Sequence, residues 1–198
     1  AQAAELSRLV QAKADGAKVA ALARAIQRSL IAAYDVSVTP RQAPDVAAAA
    51  ALYAQRCAQC HAAQGDGSGP AAVGLDPRPT DFREPARAAA RSVYGLYNTI
   101  SLGVAGSAML AFADLSEDQR WALAFYVSGF SADDALRARG AAAWERGAGR
   151  ERFASLAAVA TATPAEARAS GEEAAAILAY LRSRPADLTS GNGSPIDF

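Results

Sequence analysis

Both cysteines and the single histidine of this 198-residue chain fall within five positions, Cys57-Ala58-Gln59-Cys60-His61. On a helix, positions 57, 60 and 61 share a face, being three and four residues apart. Two thiols so placed suit thioether bonds to the two vinyl groups of one porphyrin, while the imidazole reaches the iron. C-x-x-C-H is the attachment signature of a c-type haem. Rival chemistries fit less well. Structural zinc needs four ligands and catalytic zinc at least three from protein; with no second His/Cys cluster, a carboxylate would have to serve. A thioredoxin-type C-x-x-C belongs after a strand in a βαβ pattern, whereas this one sits in the alanine-rich run Ala47 to Gln59, which reads as helix. A Cys57–Cys60 disulfide would close too short a loop to stabilise much.

Iron with one histidine needs a second axial ligand or an open face. Met109 is the only methionine. A lone methionine is more often core filler, but this one lies in the glycine-punctuated segment Gly103 to Phe112, between two helical patterns. Glycines let backbone approach a flat ligand closely, and a thioether on such a loop can drop onto the distal side of a macrocycle. Histidine plus methionine is the ligation of one-electron carriers, the soft sulfur favouring ferrous iron. Met109 is therefore the expected sixth ligand.

The elements that must hold these groups read as all-α. Alanine is abundant and no alternating strand pattern appears. Twenty basic against twenty acidic residues leave no net charge, which argues against a nucleic-acid partner, for which a basic patch is expected. No apolar run approaches the length of a membrane span. The chain opens at Ala1-Gln2-Ala3 without a charged-then-apolar leader, as expected of a mature chain or an excised piece.

Three sections are expected. Residues 1–45 hold two helical patterns broken at Asp15-Gly16, the second with Val19, Leu22, Ala23, Ile26, Leu30 and Ala33 on one buried face; a turn-rich linker, Thr39 to Pro44, follows. Residues 46–130 hold the haem section. In it Val93, Leu96, Tyr97 and Ile100 repeat at helical spacing up to Gly103. Ser116-Glu117-Asp118-Gln119 is a capping box opening a helix whose Trp121, Ala124 and Phe125 share a face. Residues 131–198 are again helical, with a second capping box at Thr163-Pro164-Ala165-Glu166 and a helix from Glu172 to Ser183 burying Ile177, Leu178 and Leu181. Arg139 to Trp144 and Ala175 to Leu181 echo the first and last helices of the haem section, as a degenerate copy without ligands would. The tail Ser190 to Pro195 reads as a flexible linker, and the stop at Phe198 as truncation.

Through Cys57, Cys60, His61 and Met109, with Gly69-Pro70 and the final aromatic helix, residues 46–130 resemble a class I cytochrome c. The resemblance implies one covalently attached haem c and a loop proline carbonyl accepting a hydrogen bond from the ligating histidine, Pro70 being the counterpart here; such a bond fixes ring orientation and basicity. Leu110 departs from the proline that often follows the family's methionine. The runs Arg91 to Gly103 and Leu115 to Val127, with the flanking sections, resemble the cytochrome portion of bacterial cytochrome c/iron-permease fusion proteins. That likeness implies a periplasmic module ahead of a membrane permease, tethered to the inner membrane in the full-length protein. The permease signature R-E-x-x-E is absent, since Arg83-Glu84-Pro85-Ala86-Arg87 fails at its last position.

The expected function is one-electron transfer, the electron arriving from periplasmic Fe(II) oxidation in iron uptake and leaving to a redox partner protein. The alternatives are a general periplasmic respiratory carrier and, from the enzyme class, a haem peroxidase or a direct ferroxidase. A peroxidase needs a displaceable distal ligand. A direct ferroxidase needs carboxylates by the haem edge, where Asp114, Glu117 and Asp118 flank the Met109 loop, although acids at a helix start more often act as caps.

Overall fold

The computed structural model describes residues 2–34 and 38–190; among them all regular structure is helical, as expected. The tail from residue 191 onward, including the expected linker glycines, lies outside the described residues. No helix among the described residues is long and apolar enough to cross a membrane. The chain divides into two compact units, Ala1–Val38 and Thr39–Phe198.

The first unit is a hairpin of α1 (Gln2–Gln11) and α2 (Gly16–Tyr34). Lys13 turns the chain with φ 50°, and Asp15 caps α2 by accepting the Lys18 amide at 3.1 Å. The expected buried face of α2 is corrected: Val19, Leu22, Ala23 and Ile26 are only half-buried, and Leu30 and Ala33 are exposed. Two helices can shield one side of an apolar stripe from water but cannot close over it.

The second unit begins with α3 (Val46–Arg56), capped by Asp45, whose carboxylate accepts the Ala48 amide at 2.9 Å. A one-turn helix, α4 (Ala58–His61), follows directly. Then come α5 (Pro85–Ala89), α6 (Val93–Leu102) and α7 (Glu117–Ser128). The capping box at Ser116 forms as read: Gln119 N donates to the Ser116 hydroxyl and Ser116 N to the Gln119 side chain. Helices α3 and α7 pack together, burying Ala49 and Tyr53 from one and Trp121, Ala124 and Phe125 from the other. On α6, Tyr97 stacks on Trp121 at 4.1 Å.

The chain continues through α8 (Asp134–Glu145), α9 (Leu156–Thr161), α10 (Pro164–Ala169), α11 (Glu172–Ser183) and α12 (Asp187–Ser190). The Thr163 capping box forms, and Ile177, Leu178 and Leu181 are buried as expected. Helices α8 and α11 pack together, with Trp144 buried. After α8 the chain turns, with Phe153 N donating to Gly149 O at 2.9 Å. Buried Phe153 and Ile177 close on Gly149 there.

The two helical sections share one apolar core, α9 packing on α6 and α11 on α7. Arg182 of α11 crosses this junction fully buried, donating to Ala162 O at 2.7 Å and Arg91 O at 3.3 Å. Burial pushes its guanidinium down to about 10, so it stays charged at neutral pH. Arg182→Met should keep the packed stem and orphan both carbonyls. Relief of a buried charge offsets part of that cost, leaving a loss of about 1–2 kcal/mol. Chemical denaturation measures it, and an unchanged midpoint would show that the two bonds contribute nothing net.

Candidate haem site

The helix through Ala47–Arg56 does not run unbroken into the cysteines. It ends at Cys57 (φ −118°, ψ −36°) and restarts as α4. Cys57 N donates to Tyr53 O at 2.8 Å and His61 N to Cys57 O at 2.9 Å. One turn therefore carries both thiols and the imidazole, all three half-buried. At Ala62 the chain leaves the helix with φ 59°. The Tyr53 hydroxyl fixes this exit by donating to Ala62 O at 2.8 Å.

The loop after His61 folds back over the open carbonyls of α4. Gly67 N donates to His61 O at 3.0 Å and Gly69 N to Cys60 O at 3.1 Å. A Cβ at Gly69 would stand 2.3 Å from Gln59 O, so no side chain fits there. At Gly67 (φ 74°) a Cβ would meet Pro79 O at 2.5 Å. That contact, with Phe82 N donating to Gly65 O at 2.7 Å, draws residues 79–82 against the loop.

The result corrects the expected acceptor. His61 Nδ1 lies 3.1 Å from the carbonyl of Thr80, and it must donate, since a carbonyl only accepts. Pro70 is exposed and opens a single 3-10 turn, Pro70–Ala72. The close backbone approach at Gly67 brings Thr80 to the ring instead. The Thr80 hydroxyl in turn accepts from Arg87 at 2.9 Å. Phe82 stacks on the imidazole at 4.5 Å. Burial pushes the His61 imidazole below its ordinary range, partly opposed by the Thr80 bond. The neutral ring is thus favoured at pH 7, with Nε2 free for a metal.

Burial also pushes the Cys57 thiol up to about 11, against the pull of Arg56. A thiol so protonated is not the activated thiolate of a redox C-x-x-C enzyme.

Met109 lies on the loop between α6 and α7. Gly103 ends α6 with φ 71°, and a Cβ there would meet Met109 O at 2.6 Å. Val104 N donates to Met109 O at 2.8 Å and Met109 N to the Ser107 hydroxyl at 3.1 Å. Met109 is half-buried against the core, while Leu102 and Leu110 are 78% and 76% exposed. Asp114, farther along this loop, pairs with Arg56 at 2.7 Å. The Met109 loop is thereby joined to the residue that precedes Cys57.

Two thiols on one turn, an oriented imidazole and a glycine-tight loop form a donor set that suits a covalently held porphyrin. Residues 46–131 match the cytochrome c family. This stretch is a cytochrome c domain. A cytochrome c domain carries a covalent c-type haem and serves electron transfer with redox partner proteins; Cys57 and Cys60 would hold the haem here. No curated protein matches the chain. Among solved structures, it is similar to a reducing HAO-like protein complex of Kuenenia stuttgartiensis, at 18% identity over 72% of this chain and 97% of that one, with a TM-score of 0.40.

Sequence reasoning missed Thr80, Phe82 and the Arg56–Asp114 pair. A main-chain acceptor leaves no residue-type signal, and the ion pair joins positions 58 residues apart.

Proposed function

We propose that this cytochrome c domain passes single electrons with His61 and Met109 as axial ligands, receiving them from periplasmic Fe(II) oxidation in iron uptake. One observation carries the ligand assignment: the loop bearing Met109 is tied by Arg56–Asp114 to the helix end bearing Cys57, while His61 keeps Nε2 free. Bound haem supplies the one-electron Fe(III)/Fe(II) couple. The protein's own share is orientation. Thr80 holds the imidazole plane and proton, Phe82 packs its face, and the Gly103 contact fixes the Met109 backbone.

The iron role rests on the resemblance of Arg91 to Gly103 and Leu115 to Val127 to the fusion proteins. It implies a membrane permease portion or subunit as partner and a periplasmic location, where haem attachment takes place. Exposed Leu102, Val104 and Leu110 offer a small apolar contact suited to transient redox encounters. A direct ferroxidase is disfavoured, because Asp114 is engaged by Arg56 and Glu117 and Asp118 lie in the first turn of α7.

Ferric protein should show the weak near-infrared sulfur-to-iron band, and Met109→Ala should abolish it. A band that survives the substitution removes Met109 from the iron. Anaerobic mixing of ferric protein with Fe(II) should reduce the haem. Failure to reduce, with or without a partner oxidase, sinks the iron role and leaves the electron carrier standing.

A further inference from the structure

The segment that follows Met109 has little of its own to hold it. Leu110 is exposed and no ring stiffens the backbone there. Upstream, Gly103 and Val104 grip the Met109 carbonyl. Downstream, the contacts come from two arginines on different helices. Arg56, the last residue of α3, reaches Asp114 at 2.7 Å and lies over the Phe112 ring at 5.5 Å from its centroid. Arg120 of α7 donates to Leu115 O at 2.9 Å, with Phe112 O at 3.5 Å. Phe112 N also donates to Ile100 O at 3.0 Å.

We propose that Arg56, through Asp114, is a positioning residue for the Met109 ligand. It latches the loop carrying Met109 to the helix end that carries Cys57, with Arg120 clasping the same loop from α7. The inference rests on the His61/Met109 reading above. Arg56 touches neither iron nor porphyrin in this role; it sets how often Met109 leaves. The electrostatics agree, since Arg56 holds the Asp114 carboxyl below the usual carboxylate range.

The latch is partly exposed, with side-chain exposures of 38% for Arg56 and 60% for Asp114. Its effect is therefore modest: a pair of this kind shifts an equilibrium by about fivefold at most. Imidazole added to ferric protein binds only when Met109 is off, so its apparent affinity scales with the open fraction. Asp114→Asn and Arg56→Gln should each raise that affinity about three- to fivefold. The double variant should show no further gain, because each change breaks the same pair. The swapped Arg56→Asp/Asp114→Arg protein should return to within about twofold of wild type. Molar salt should raise the affinity of wild type and leave the single variants unmoved.

Affinities equal to wild type in both single variants, beside an intact near-infrared band, would overturn the latch and leave Met109 as ligand. Additive gains in the double variant would overturn it too, since the residues would then act separately. If wild type shows no near-infrared band and Met109→Ala binds imidazole as wild type does, the ligand assignment fails and takes the latch with it.

Discussion

Cys57→Ser/Cys60→Ser protein should emerge colourless from a host that matures c-type haems, with its helical content retained. The two thiols are the only ones in the chain, so no other side chain can form the thioethers. The turn itself does not depend on them. His61 N to Cys57 O and Gly69 N to Cys60 O are main-chain bonds, and the Tyr53 hydroxyl holds Ala62 O from outside the motif. Fold and pigment are thus separable: far-ultraviolet circular dichroism should change little, while haem absorbance that survives denaturing conditions should vanish. Haem that still migrates with the denatured chain would remove the cysteines from the site.

The second large effect is one of packing. Gly140→Ala should destabilise the protein by about 2–3 kcal/mol, although alanine is the better helix former by about 1 kcal/mol. Helices α8 and α11 pack so closely that a Cβ at position 140 would lie 2.0 Å from Ala176 O and 2.5 Å from its carbonyl carbon. Backbone cannot swing aside like a side-chain tip, so the helices must part, and the steric penalty outweighs the propensity gain. Folded variant should keep the wild-type haem spectrum, because the motif belongs to α3 and α4. A denaturation midpoint at or above wild type would show that the two helices separate at no cost.

What could be read from residues alone was whatever has a local chemical reason. The capping boxes at Ser116 and Thr163, the stop at Gly103, and the buried stripe Ile177, Leu178 and Leu181 all depend on neighbours within a few positions. The all-α class and the haem motif are of that kind. The bend at Cys57 was not legible, because the alanine-rich run before it propagates helix as readily as it ends one. Nor was the partner of His61: Pro70 and Thr80 both lie outside the α-helices, and only the approach of Gly67 to Pro79 chooses between them. Arg182 was invisible for a similar reason, since its acceptors are carbonyls from two remote segments.

The oxygen facing the imidazole proton belongs to a peptide group and not to a side chain. Codon changes at position 80 therefore rewrite the hydroxyl beside Arg87 while the acceptor survives every one of them. Replacing that acceptor would take insertions or deletions between Gly67 and Pro79, which slide a different carbonyl into register.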